Sequence, residues 1–310
     1  NGMITLYRSG RNGLETIEEY EGGSWVHTVN PTPQEIDALV ARFAIPLDFL
    51  TDPLDVDERA RVEREEGNTF ILLRTTRRED PEADIPFTTL PVGIILTQNV
   101  IITVSVTDLE VFQEFITGKV RHFSTERRVH FVLLLFFRNT LLFMRYLKEI
   151  NRMTTPIERS LYQALKNEQL IRMLNLEKSL IFFVTSLRSN ALMIEKFYTF
   201  TRMDEDEQDL FEELSIENRQ AIEMANIYSD ILSTMMDAFA SVISNNLNVI
   251  MKLLTTVTII LMIPTLIASI YGMNVDLPLQ QTPYAFAFTM ILSLVLSAIG
   301  IIIFWRKEFF

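Results

Sequence analysis

Between Leu253 and Trp305 the sequence holds one charged residue, Asp276, and no lysine, arginine or histidine. Two apolar runs fill this window, from about Val249 to Ile270 and from about Tyr284 to Phe304. Each is near the ~20 residues that a helix needs to cross ~30 Å of hydrocarbon. Buried core helices of a soluble protein normally keep a polar stripe or flanking charges, so two such runs back to back, without a charge beyond Lys252, predict a transmembrane hairpin. The shorter run His130–Phe137 is closed off by Arg138 and Arg145 and is expected to be a core helix instead. Lys252 lies at the start of the first run, Arg306 and Lys307 follow the second, and the connecting loop has no base. The positive-inside tendency then puts both termini in the cytoplasm and the loop outside. Residues 1–12 contain no apolar signal-peptide core, so the remainder of the chain is expected to be cytosolic.

The whole-chain averages conceal this division. Of 310 residues, 48% are hydrophobic, yet the net charge is −12 and the mean hydropathy is +0.18. The positive hydropathy comes largely from the C-terminal window and the acidity from everything before it. Forty acids against twenty-eight bases argue against a nucleic-acid partner, which needs a basic surface for phosphates. The lack of cysteine excludes disulfides and thiolate metal sites. His27, His122 and His130 are scattered without paired-ligand spacing, so an enzyme or imidazole metal centre is not expected.

Residues 1–123 read as an α/β domain. Five segments rich in β-branched residues predict strands over 3–9, 24–29, 69–76, 89–98 and 99–106, with Asn99 in a hairpin turn. Thr32-Pro33-Gln34-Glu35 has the pattern of a capping box with proline at N1 and predicts a helix to about Phe43. No Walker loop, nucleophile elbow or dinucleotide-binding glycine pattern occurs. From about Ser124 to Tyr271 there is no glycine and only two prolines, Pro156 and Pro264, which predicts long helices. Pro156 is read as a helix start, with one helix ending near Met153 and the next running over 156–202. Residues 204–217 carry eight acids and no base, as suits a turn leading into a helix N-terminus. A helix from about 208 to 270 would be ~95 Å long, so most of it must project from the bilayer as a stalk. The expected domains are therefore 1–123 (α/β), 124–248 (helical stalk), 249–270 (first span), 271–283 (outer loop), 284–304 (second span) and 305–310 (tail).

One set of positions on that helix steps alternately by three and four: Asp237, Ser241, Ser244, Asn248, Met251, Thr255, Thr258, Met262, Thr265 and Ser269. All are polar, small or methionine, while the residues between them are largely aliphatic. Steps of 3.5 keep residues on one supercoiled seam. In a membrane such a seam either packs against another helix or lines a wet path, and the spacing allows both. Two spans cannot enclose a pore, so the second use requires several copies of the chain.

At the outer end of the first run stands Tyr271-Gly272-Met273-Asn274. In this position, after a long acidic stalk and before a short loop and a basic tail, Gly-Met-Asn resembles the signature of the CorA family of divalent-cation transporters. The resemblance covers residues from about 120 to 310. It implies a CorA-like homopentamer in the inner plasma membrane, with the first span lining a central pore and the second facing lipid. Gly272, Met273 and Asn274 would form the outer selectivity ring. Mg2+ gives up water reluctantly and prefers octahedral oxygen ligands, so neutral amide and carbonyl oxygens can hold its hydrated form without trapping it. Met262 and Thr265 match pore-facing family positions, and Leu254, Met251 and Asn248 match the hydrophobic constriction and its inner mouth. Leu254 lies one residue off the polar seam. Asp237 matches a pore-facing acid of the stalk. The membrane potential would drive entry, about 4.6 kcal/mol for two charges at 100 mV.

The family resemblance also implies inhibition by cytoplasmic Mg2+ held between subunits. Glu213 falls where a stalk acid contributes to such a site, with Glu212 and Asp209 beside it; a merely solvated acidic turn is the other reading. The sequence departs from the family after Asn274, where Val275-Asp276-Leu277-Pro278-Leu279 replaces a continuation in Met-Pro-Glu. Pro264 stands one residue later than usual, and the tail has fewer bases. Mg2+, with Co2+ and Ni2+ as further cargo, is the expected substrate. The alternatives are a Zn2+ transporter of the ZntB type, which typically alters the middle residue of the motif, and a membrane-anchored sensor or scaffold, which would not need the seam to continue through the bilayer.

Overall fold

The computed structural model describes residues 2–10, 13–120, 123–160, 167–279 and 282–307; His122 lies outside them. The chain divides into two units, 1–235 and 236–310. The first is built on a seven-stranded sheet of order β2-β1-β3-β7-β6-β5-β4. Its strands are β1 (Met3–Gly10), β2 (Gly13–Ile17), β3 (Trp25–Val29), β4 (Arg61–Glu65), β5 (Asn68–Arg78), β6 (Phe87–Leu96) and β7 (Ile101–Ser105). All pairs are antiparallel except the central β3–β7 pair. The five expected strands are present, with Asn99 in the turn between β6 and β7. β2 and β4 are additional. They are short polar edge strands, GLETI and RVERE, and lack the apolar alternation that marks a strand in sequence.

The inner strands read as unbroken apolar runs because both faces of the sheet are covered. Val26, Phe70, Leu72 and Ile102 pack with Ile36 and Leu39 of α1 (Pro33–Phe43) on one side. Trp25, Ile71, Leu73 and Ile94 pack on the other with α3 (Glu110–Ile116) and α4 (Arg128–Ser160). Helix α1 carries the expected capping box. Glu35 N–H donates to Thr32 Oγ1 at 3.3 Å, and Thr32 N–H donates to Glu35 Oε2 at 2.7 Å. A four-residue helix, α2 (Asp48–Thr51), follows it.

Phe131, Val132, Leu133, Leu135 and Phe136 of α4 are fully buried, so this apolar run is a core helix. The expected break at Pro156 is not observed. Helix α4 continues through it to Ser160, and the next helix, α5, spans Asn167–Phe200. In the turn before the proline, Thr154 and Thr155 hydroxyls donate to the carbonyls of Ile150 and Asn151 at 3.0 and 3.2 Å. Proline costs a helix one N–H bond and crowds one carbonyl, and packing of the apolar face of α4 outweighs that.

Beyond Leu72, β5 has no β4 partner, which leaves its outer backbone groups facing α4 and α5. Two carboxamides satisfy them at Arg74. Asn190 Nδ2 and Asn139 Nδ2 donate to the Arg74 carbonyl at 2.8 and 2.9 Å, and Arg74 N–H donates to Asn190 Oδ1 at 2.9 Å. Asn190 thus occupies, for one residue, the place that a longer β4 would take.

Helix α6 (Glu205–Tyr271, 67 residues) begins in the first unit and ends in the second. Its start is closed by a reciprocal cap: Glu207 N–H donates to Asp204 Oδ1 at 2.9 Å and Asp204 N–H to Glu207 Oε2 at 3.2 Å. The cap holds the Asp204 carboxyl below its usual range. Glu205, Asp206 and Glu207 occupy the first turn, where the helix dipole favours them. The second unit contains the rest of α6 and α7 (Ala285–Arg306).

Candidate cation pathway

Among the described residues, three helices are long and apolar enough to cross a membrane. Burial separates them. In the most apolar window of α4, 61% of residues are buried within the protein, against 11% in α6 and 6% in α7. Leu261, Leu266, Leu294 and Ile291 are each more than 60% exposed. At about 25 cal/mol per Å², so much apolar surface requires an apolar medium or other copies of the chain.

Within the second unit, α6 presents one face to α7. Thr256 and Ile267 are buried on it and Ile260 and Ile263 half-buried, a spacing of four, three and four. On α7, Ser293 is buried and Thr289, Ser297 and Gly300 are half-buried. These small residues allow close approach; a Cβ on Gly300 would lie 3.4 Å from Ile263 Cδ1.

All ten residues of the polar seam, Asp237 to Ser269, are exposed. At 100° per residue the seam lies about a third of a turn from the α7-facing stripe. Packing within the hairpin therefore does not account for the seam. Thr258 Oγ1 donates to the Leu254 carbonyl at 2.8 Å and Thr265 Oγ1 to the Leu261 carbonyl at 3.1 Å. Each hydroxyl proton is thereby placed on the helix, and each oxygen keeps its lone pairs for a partner beside it. Leu254 and Met251 are exposed, at 59% and 52%.

At the end of α6, Gly272 N–H donates to the Ala268 carbonyl at 2.9 Å and Met273 N–H to the Ile270 carbonyl at 3.2 Å. A Cβ at Gly272 would approach the Ala268 carbonyl oxygen to 3.2 Å, a tight contact. The Tyr271 hydroxyl donates to the Pro278 carbonyl at 3.4 Å, tying the loop back on the helix end. Met273, Asn274 and Asp276 are exposed. The loop residues Gln280 and Gln281 and the end of the tail, 308–310, lie outside the described residues.

Asp209, Glu212 and Glu213 share one face of α6 by their i, i+3, i+4 spacing, and all three are exposed. Among the described residues, no three acids or histidines are grouped closely enough to hold a metal ion. His27 is buried beside Trp25 and Phe112, with Nδ1 3.0 Å from Thr103 Oγ1. His130 is half-buried near the α6 cap. Neither lies on α6.

A family model described as "CorA-like Mg2+ transporter protein" matches residues 20–307. Among curated proteins, the chain is 30% identical over 292 residues to the cobalt/magnesium transport protein CorA of Methanocaldococcus jannaschii, covering 91% of this chain and 90% of that protein. It is 25% identical over 308 residues to the magnesium transport protein CorA of Helicobacter pylori, covering 96% and 93%. Among solved structures, the complete CorA magnesium transporter of M. jannaschii superposes with a TM-score of 0.84 at 26% identity, over 99% of both chains.

Proposed function

This chain belongs to the family of CorA-like Mg2+ transporter proteins, and on that premise we propose that it is a channel-like transporter of divalent cations, Mg2+ foremost and Co2+ and Ni2+ in addition. The observation that carries the reading is the seam of α6. Ten polar, small or methionine positions face away from α7 and lead to Gly272-Met273-Asn274. Five copies of the chain around an axis would bury this seam in a common pore. The second span and the remaining aliphatic faces of the first would then meet the bilayer of the inner membrane, with both termini cytoplasmic. The relatives' names, for cobalt and magnesium, support this cargo over zinc, as does Met273 at the middle of the motif.

In this reading the Gly272, Met273 and Asn274 ring receives the hydrated ion through amide and carbonyl oxygens. These oxygens accept hydrogen bonds from its water shell without the grip of a carboxylate ring. Asp276, the only charge of the loop, draws cations to the outer mouth. The Thr265, Thr258 and Thr255 oxygens offer further water-like partners along the path. Ser269 and Met262 line it between them. Leu254 and Met251 form a constriction that gates by dewetting, and Asn248 and Asp237 line the inner mouth. Asp209, Glu212 and Glu213 are the proposed regulatory ligands, completed by a neighbouring subunit, through which cytoplasmic Mg2+ closes the pore. No bond is made or broken, and the membrane potential supplies the drive.

The test is ion uptake into liposomes holding the purified protein, with Mg2+, Co2+, Ni2+ and Zn2+ compared side by side. Mg2+ uptake is expected and is lost in Asn274→Ala. Unchanged uptake in that variant would remove the selectivity-ring assignment, and preferential Zn2+ uptake would replace the cargo.

A further inference from the structure

Six arginines, Arg8, Arg61, Arg77, Arg78, Arg127 and Arg145, each face at least one carboxylate. Three others line one cleft of the first unit. It has a volume of about 450 Å³ and is lined by Arg64, Arg128 and Arg202, with no acid in its wall. Among the described residues, none of the three is in an ion pair. Their meeting follows from the topology. Val62 and Arg64 alternate with Glu63 on β4, so Arg64 takes the sheet face covered by α4, while Glu63 pairs with Arg61 on the opposite face. Arg128 is the first residue of α4, and Arg202 follows the last residue of α5, Phe200. The Arg128 guanidinium donates to the Thr97 carbonyl, which fixes its position but leaves its charge uncompensated. The first turn of α4 contains no acid, so the positive end of a 33-residue helix adds to the same field. Thr69, Thr201 and Phe200 supply two hydroxyls and an aromatic ring to the wall.

Arg64 and Arg202 are exposed and Arg128 is half-buried, so a multivalent anion entering the cleft meets three positive groups. Planar guanidinium forks also match phosphate oxygens in pairs. We propose that this cleft binds a phosphate-bearing anion, with Arg64, Arg128 and Arg202 as its ligands. The site lies within one chain and is independent of the ion pathway. The chemistry is shared by a free polyphosphate and by the phosphate chain of a nucleotide, whose base would have Phe200 as a neighbour.

The experiment is calorimetric titration of the full-length protein in detergent, in EDTA to remove divalent ions, with tripolyphosphate and separately with ATP. Saturable binding of one anion per chain is expected, weakening as salt rises. Arg64→Gln with Arg202→Gln lowers the affinity at least ten-fold. Arg172→Gln with Arg219→Gln removes the same charge from exposed positions elsewhere and leaves affinity within two-fold. Equal affinity for the two anions identifies the phosphate chain as sufficient; a ten-fold preference for ATP assigns the site to a nucleotide. No saturable binding, or an equal loss in both double variants, overturns the proposal. So does a changed subunit number in Arg64→Gln with Arg202→Gln while tripolyphosphate affinity is intact, because the arginines would then bridge subunits.

Discussion

Thr256 and Thr258 stand two residues apart on α6 and make opposite predictions. Thr256 is fully buried on the α7-facing stripe, and among the described residues its hydroxyl oxygen has no hydrogen-bond partner. An unpaired buried polar group costs about 1–3 kcal/mol. Valine keeps the branched shape and replaces the hydroxyl by a methyl, so Thr256→Val is expected to stabilise the protein by about 1–2 kcal/mol and leave ion flux unchanged. Thr258 is exposed on the seam, and its hydroxyl donates to a carbonyl one turn back. That bond contributes little to a helix, so Thr258→Val changes stability by less than about 0.5 kcal/mol. It does remove one oxygen per subunit from the pathway, and Mg2+ flux should fall about ten-fold, equivalent to about 1.4 kcal/mol in the barrier. Thermal unfolding in detergent and Mg2+ uptake into liposomes, measured on the same preparations, check both. If Thr256→Val lowers flux as much as Thr258→Val, or destabilises the protein, the two faces of α6 have been assigned the wrong way round.

Changing Glu212 and Glu213 together to alanine should raise the cytoplasmic Mg2+ concentration needed for half-inhibition several-fold; identical inhibition curves in liposomes would eliminate the proposed regulatory site. Burial lowers the His27 pKa from 6.5 to about 4. The unfolded chain therefore binds a proton that the folded one refuses, and stability present above pH 6.5 is lost as pH falls toward 4. The loss amounts to about 2–3 kcal/mol by pH 4.5. Burial and the nearby Arg127 lower the pKa of His130 in the same direction. Denaturant titrations between pH 7 and 4.5, followed by tryptophan fluorescence, should show a weaker acid dependence in His27→Gln, and an equal dependence would assign it to other groups.

Where one physical term dominated, the residue types alone were enough to read the fold. The window with Asp276 as its one charge gave α7 and the end of α6. Continuous β-branched runs gave the five inner strands, and Thr32-Pro33-Gln34-Glu35 gave the start of α1. Edge strands β2 and β4 escaped because one or both faces meet water and their register comes from neighbouring strands. Pro156 misled because a local backbone preference was outweighed by the packing of a 33-residue helix. The polar seam was legible in composition, and the structure adds that the stripe of α6 facing α7 lies elsewhere on the helix, so packing within the hairpin is not its use. The arginine cleft left no trace in sequence order: positions 64, 128 and 202 have no periodic relation and meet only through the sheet and the ends of two helices.

The carboxamide that completes the β5 edge has a consequence for biosynthesis. Arg74 and Asn190 are 116 residues apart, and chains are made at about 5–20 residues per second. For roughly 6–23 s on each ribosome, β5 therefore exists before the group that closes its edge. An open strand edge is a template for pairing with another chain, and neighbouring ribosomes on one message hold such edges at high local concentration. Replacing Asn190 would leave the Arg74 N–H of that edge without its partner for the life of the protein, so its effect should appear in the yield of soluble chain at high expression before it appears in the folded molecule.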